Sequence, residues 1–237
     1  MAIDRFLAMT AAEIQFCPRH CGPIAYLACH FSPYNRGLSN LPRELPRGSL
    51  LLLDDSTPIC GHDPQLAAQQ LAEAAKNPEC RGVLLDFQRT HTEEAAAMAA
   101  FLCRALPCPV AVSSLYAGPL SCAVCVPPPD CHIPLEEHLA PWKGREIWLE
   151  LALDGETIAL SGEGAQFRPL TTIPQEEGFF DPTLNCRYRI QQEKDRALFT
   201  LWRTKDSLRA LEAAAEALGV TLTVGLWQEL GGQIHAV

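Results

Sequence analysis

The chain has 237 residues, 48% of them hydrophobic and 20% charged, enough to bury a barrel-sized core or two small ones and too apolar for disorder on this scale. A formal net charge of −9 repels phosphate backbones and anionic membranes. No Lys/Arg cluster with interleaved aromatics offsets it, so nucleic acid is not an expected partner.

The first 22 residues do not read as a secretion signal, because Asp4 and Glu13 interrupt the apolar stretch such a signal needs. No apolar run approaches the ~20 residues of a membrane span. A cytoplasmic location without membrane attachment is therefore expected. Eleven cysteines, an odd number, then argue for reduced thiols rather than a complete disulfide framework.

In chain order, residues 23–32 (PIAYLACHFS) have strand composition and stop at Pro33. Residues 48–58 contain an apolar run ending in Asp54 and Asp55. A helix follows, with Asp63 as cap and Pro64 in its first turn. The run GVLLDFQ at 82–88 predicts another strand. The next helix has Thr90 or Thr92 as cap, and Glu93 and Glu94 at the positive end of its dipole. CPVAVSSLYAG and SCAVCVPPP predict a fourth and a fifth strand.

These strands are apolar on both faces, as parallel strands covered by helices are. The alternation predicts an α/β fold. Residues 145–167 then alternate, with Asp154-Gly155 as the turn of an inserted β-hairpin. An irregular, proline-containing connection follows and can cover one mouth of the fold. Regularity returns in RALFTLWRT, the helix KDSLRALEAAAEALG stopped by Gly219, and VTLTVGLWQELGG. The sum is about eight strands in one domain spanning 1–237, a (β/α)8 TIM-like barrel irregular in its second half. An open doubly wound sheet is the second choice. It lacks the G-x-G-x-x-G turn, and no nucleotide or other cofactor is expected.

Two cysteine clusters are candidate metal sites. In Cys17, His20 and Cys21, with His30 nearby, a metal and a plain loop both remain open. In Cys122, Cys125, Cys131 and His132, residues 122 and 125 leave a strand on opposite faces, which suits small buried hydrophobes better than zinc. No metal is assigned.

Polar residues gather at the C-terminal tips of the strands, where a barrel carries its active site: His30, Ser32, Asp54, Asp55, Asp86, Gln88, Ser113, Ser114, Tyr116, Glu150, Trp227, Gln228 and Glu229. Asp86 and Gln88, two apart, share a face. Any one of these could be polar merely because a strand is reaching water.

Arg81–Gln88 (RGVLLDFQ) resembles the signature strand of the family 18 glycoside hydrolases, the chitinase-like barrels, whose pattern is D-G-x-D-x-D-x-E. Gly82 matches the glycine, Asp86 the last aspartate and Gln88 the position of the acid glutamate, while Arg81 and Leu84 stand where the pattern has aspartates. IAYLACHFSPYN resembles the family's first strand and GLWQE its last, which would set Trp227 on the barrel floor. Counted from the first strand read here, RGVLLDFQ is the third, whereas the family carries its signature on the fourth.

The resemblance implies cleavage in which a carboxylic acid protonates the leaving oxygen, the substrate's acetamido group attacks, and the neighbouring aspartate orients that amide. Gln88 cannot deliver a proton, so the acid's contribution of roughly 10²- to 10⁴-fold is lost. Asp55, Glu150 and Glu229 are the carboxylates that could replace it. Trp227 suits stacking on a sugar face, or closing the core, and Tyr116 is a further binding candidate. Two classes result: a glycosidase-like barrel that binds or weakly hydrolyses carbohydrate, or a non-enzymatic scaffold that binds protein. Ser or Cys nucleophilic catalysis is disfavoured, since SSLYAG is not a G-x-S-x-G elbow.

Overall fold

The computed structural model describes residues 2–15, 22–76, 79–162, 164–175 and 177–230. Among these, eight parallel strands close on themselves: β1 (Asp4–Met9), β2 (Ala25–Phe31), β4 (Leu50–Asp54), β5 (Gly82–Asp86), β6 (Val110–Ser113), β7 (Ala123–Val126), β8 (Ile147–Leu151) and β14 (Leu222–Leu226). β1 pairs with both β14 and β2, which completes the ring. A two-residue β3 (Leu38–Ser39) runs antiparallel beside β2. No helix among the described residues is long and apolar enough to cross a membrane.

The helices begin where the sequence supplies caps. In α2 (Pro64–Lys76), Asp63 Oδ1 accepts from the backbone N–H of Gln65 at 2.9 Å. In α3 (Glu93–Ala105), Thr92 Oγ1 accepts from Ala95 N–H at 3.1 Å. α6 (Lys205–Ala217) starts at Thr204 and is followed by Gly219 at φ +86°, the left-handed conformation that glycine takes without strain. Short helices α1 (Ala11–Ile14), α4 (Ser114–Ala117), α5 (Leu135–Leu139) and α7 (Trp227–Leu230) complete the set.

Alternation along the strands divides the core in two. Odd-numbered residues of β4 and β5, such as Leu51, Leu53, Val83 and Leu85, pack outward with Leu71, Met98 and Leu102 of the helices. Leu50, Leu52 and Leu84 point inward and meet Phe6, Ala111, Cys125, Trp148 and Leu222. The fully buried Trp148 fills the barrel interior. It fits because Gly82 has no side chain: a Cβ there would lie 3.0 Å from the indole and 2.7 Å from the carbonyl oxygen of Pro109. Ala111 and Ala123 leave further room.

Four expectations change. First, Asp4–Met9 is a barrel strand where none was expected: Phe6 and Ala8 face inward and Leu7 outward, behind a start made of two charged residues, Asp4 and Arg5. β2 is therefore the second strand, not the first, and β5 is the fourth. Second, Arg196–Trp202 (β13) is not a barrel strand.

It belongs to a separate antiparallel sheet inserted between β8 and α6, with order β10 (Gly164–Pro169), β9 (Gly155–Ser161), β13, β12 (Cys186–Gln192) and β11 (Phe179–Asp181). Third, the insertion is thus five strands rather than one hairpin, and the irregular connection contributes β11 and β12 to it.

Fourth, Asp154-Gly155 is not a hairpin turn. It marks the point where the chain leaves the barrel, since β8 and β9 lie in different sheets. Glycine is needed at 155 for close approach: a Cβ would stand 2.7 Å from the carbonyl oxygen of Leu201. Asp154 instead clamps the returning chain, accepting from Nη1 of the fully buried Arg203 at 2.8 Å, while the same nitrogen reaches the Pro129 carbonyl at 2.6 Å. Cys131, Cys186 and Leu201 form the small core that seats the sheet against the loop after β7.

Candidate functional site at the barrel mouth

The parity that buries Leu50, Leu52 and Leu84 inside the barrel brings Asp54 and Asp86 to its upper rim, where the two are paired in register. Gln88 continues that face as the chain leaves β5, and its Nε2 donates to Asp86 Oδ1 at 2.6 Å. Across the mouth, β8 follows the same rule: Trp148 fills the interior and Glu150 sits above it. A cavity of about 210 Å³ lies between them, with Asp86 and Glu150 as its charged lining and Leu52, Leu84, Val224 and Leu226 among its walls.

Burial raises the pKa of both acids. For Asp86, desolvation is the main cause, opposed by the Gln88 hydrogen bond and reinforced by Asp54 and Asp55. Glu150 is pushed up to about 7, first by desolvation and then by the charge of Asp86, against the hydrogen bond from Cys125. That thiol donates to Glu150 Oε1 at 3.5 Å. Two carboxyls facing one apolar hollow cannot both ionise cheaply, so one holds a proton near neutral pH.

This has a measurable consequence for stability. A carboxyl whose folded pKa lies above its unfolded value binds more protons when folded, so stability falls as pH rises between the two. For Glu150 the window runs from the ordinary glutamate value of 4.5 to about 7. Glu150→Gln removes the effect. Chemical denaturation should find the variant more stable than the parent by about 1–3 kcal/mol at pH 8 and nearly equal at pH 5. Equal differences at both pH values would contradict the burial argument.

A second cavity, about 630 Å³, lies on the other side of Gln88 and brings it together with Asp55, Tyr116, Thr90, Thr92 and Glu94. Asp55 has the parity opposite to Asp86. It accepts from the backbone N–H groups of Gln88 and Arg89, each at 3.0 Å, and so fixes the turn after β5. Tyr116 packs edge-on against Phe87 and stacks with His91. Ser113 Oγ donates to the Phe87 carbonyl at 2.6 Å, tying β6 to the same turn.

The structure thus joins Asp86 with Glu150 in one hollow and Asp55, Gln88 and Tyr116 in the other. Trp227 joins neither: it packs against the outer layer, and Leu226, one residue earlier, lines the mouth instead. Glu229 is engaged elsewhere, its Oε2 accepting from Leu153 N–H at 2.9 Å. Asp54, one of the polar strand-tip residues, and Cys125, expected as a small buried hydrophobe, belong to the site as well. Alternation from Leu50 and from Ala123 assigns both to the inward face once its parity is known.

Cys122, just before β7, and Cys125, within it, point to different sides of the sheet. Cys125 touches Glu150 and Cys122 touches Cys103, and His132 is bound to Glu156. Among the described residues no three His, Cys, Asp or Glu side chains converge as metal ligands. The Cys17, His20, Cys21 cluster lies outside the described residues.

No protein-family model and no curated protein sequence matches the chain. Solved structures do. A family 18 N-acetylglucosaminidase from Paenibacillus barengoltzii superposes with a TM-score of 0.60 at 10% identity, covering 99% of this chain and 97% of its own. The shared feature is a closed (β/α)8 barrel. A GH18 chitinase from Cycas revoluta in complex with (GlcNAc)3 matches at TM-score 0.56 and 11% identity, with 93% and 94% coverage. The spore cortex-lytic enzyme SleL from Bacillus megaterium matches at 0.57 and 12%, with 96% and 70% coverage. At these identities the likeness is one of fold. With β1 counted, β5 is the fourth strand of the barrel, the position at which the family that RGVLLDFQ resembles carries its signature.

Proposed function

We propose that this chain is a divergent glycoside hydrolase-like barrel that binds, and weakly hydrolyses, a carbohydrate bearing N-acetyl groups, with the family's acid position occupied by Gln88. The observation that carries this reading is the hydrogen-bonded Asp86–Gln88 pair at the tip of the fourth strand, above a small apolar hollow. At about 210 Å³ that hollow falls short of the ~300 Å³ of a typical ligand pocket. It suits a side group rather than a whole sugar. An acetamido group fits its chemistry: Leu52, Leu84 and Val224 meet the methyl, and Asp86 accepts the N–H.

The sugars would then extend past Gln88 towards Tyr116. Gln88 can donate a hydrogen bond to a glycosidic oxygen but no proton. Glu150, raised to about 7, is the carboxyl at the mouth suited to general-acid work at neutral pH. Hydrolysis of a fluorogenic chito-oligosaccharide tests this. Turnover should fall as pH rises through about 7 and drop by roughly 10²-fold or more in Glu150→Gln, with KM little changed. A Glu150→Gln variant as active as the parent would remove Glu150 from the chemistry.

A second reading, a protein-binding scaffold, draws on the inserted sheet. Phe167, Ile158, Phe199 and Ile190 form one cross-strand row, and Phe167 and Ile190 are 51% and 53% exposed. A parent protein that binds no N-acetylated sugar would favour this reading.

A further inference from the structure

At the end of the barrel opposite the mouth, two thiols meet. Cys103 lies in the last turn of α3 and Cys122 directly precedes β7. Their sulfurs are 3.0 Å apart, with the Cys103 thiol donating to Cys122. Both side chains are partly exposed. Arg145 fixes the loop that carries Cys122: Nη2 donates to the carbonyls of Leu120 and Cys122 at 2.6 and 2.7 Å, and Nη1 to those of Ala117 and Gly118, both at 3.2 Å. The sulfur of Cys122 is thus held beside a hydrogen-bond donor and a fixed cation, the surroundings that make a thiol reactive.

We propose that Cys103 and Cys122 form a dithiol site that reacts with low-molecular-weight disulfides, Cys122 attacking first and Cys103 resolving, to close an intramolecular disulfide. The Cys122 thiolate attacks one sulfur of RSSR. A Cys122–SR bond forms, the S–S bond of the reagent breaks, and the departing RS⁻ takes the proton that Cys122 released. Cys103 then loses its proton and attacks the Cys122 sulfur, expelling the second RS⁻, which takes up that proton. Two protein thiols are oxidised and one small disulfide is reduced to two thiols.

The other cysteines are less suited. Cys131 and Cys186 also touch, but they are 2% and 0% exposed, beyond the reach of a solvent-borne disulfide. Burial pushes the Cys80 thiol up to about 11 and raises Cys108 as well. Cys122 moves the other way, to about 7, chiefly through the Cys103 hydrogen bond, with Arg145 adding to it.

The test uses the full reduced chain and oxidised glutathione, followed by peptide mapping and mass spectrometry. The expected result is a Cys103–Cys122 cross-linked peptide whose rate of formation has its midpoint near pH 7, below the ~8.5 of a free thiol. The oxidised protein should melt roughly 5–10 °C higher, since the bond closes a loop of about twenty residues. Cys103→Ser should trap glutathione on Cys122, whereas Cys122→Ser should leave Cys103 unmodified. Glutathione on the exposed Cys60 alone, a cross-link confined to Cys131–Cys186, or adduct on Cys103 in Cys122→Ser would each overturn the proposal. The wild-type cross-link and its pH midpoint require no variant to fold.

Discussion

Gln88→Glu should raise hydrolysis of an N-acetylated oligosaccharide by about 10²- to 10⁴-fold, the contribution of a positioned general acid. The Gln88 nitrogen lies 2.6 Å from Asp86 Oδ1, so a glutamate there would meet a carboxylate at hydrogen-bond distance. Like charges at that separation cannot both persist. The pair would share a proton, and one pKa would rise towards the range an acid catalyst needs. The exposed position of Gln88 lets the substitution leave the fold intact. Initial rates on a fluorogenic chito-oligosaccharide decide the matter. An unchanged rate, in a variant that still binds the sugar, would mean that position 88 does not face the glycosidic oxygen.

The second large effect concerns stability. Trp148→Ala should cost about 3–5 kcal/mol, since it empties the middle of a closed barrel whose walls cannot collapse inward. At ~2–4 °C per kcal/mol for a chain of this size, the melting temperature should fall by about 6–20 °C. Gly82→Ala should also destabilise, by about 1–3 kcal/mol, because its Cβ would crowd the indole and the Pro109 carbonyl. In a Trp148→Phe background the glycine substitution should cost less, as one of its two obstacles has gone. Independent, additive losses in a denaturation cycle would show that the two residues are not packed together.

Much of the barrel was legible because each buried parallel strand is apolar on both faces and ends in polar groups: Leu50–Asp54 and Gly82–Asp86 announce themselves. Asp4–Met9 was not, because Asp4 and Arg5 give it a polar start and it has no turn signal before it. Arg196–Trp202 misled for the converse reason. Its length and composition suit a barrel strand, and only pairing with Gly155–Ser161 and Cys186–Gln192 reveals an antiparallel sheet.

At the site, spacing sufficed to join Asp86 to Gln88. It could not decide between Asp54 and Asp55, since adjacent residues differ by one face and the sequence alone does not say which face is inside. Trp227 illustrates the same limit. It is one residue out of phase with Leu226, which lines the mouth. Glu150 was a candidate because it ends a late strand, but its raised pKa comes from burial and from Asp86, a neighbour 64 residues away in the sequence, neither of which spacing reveals.

Sugar binding at this mouth is tested most directly by calorimetric titration of chito-oligosaccharides into the parent protein and Asp86→Ala. The expected result is measurable binding by the parent, weakened about 10- to 100-fold in the variant, as for loss of a hydrogen bond to a charged group. No heat of binding from the parent, or equal affinity in the two proteins, would contradict it.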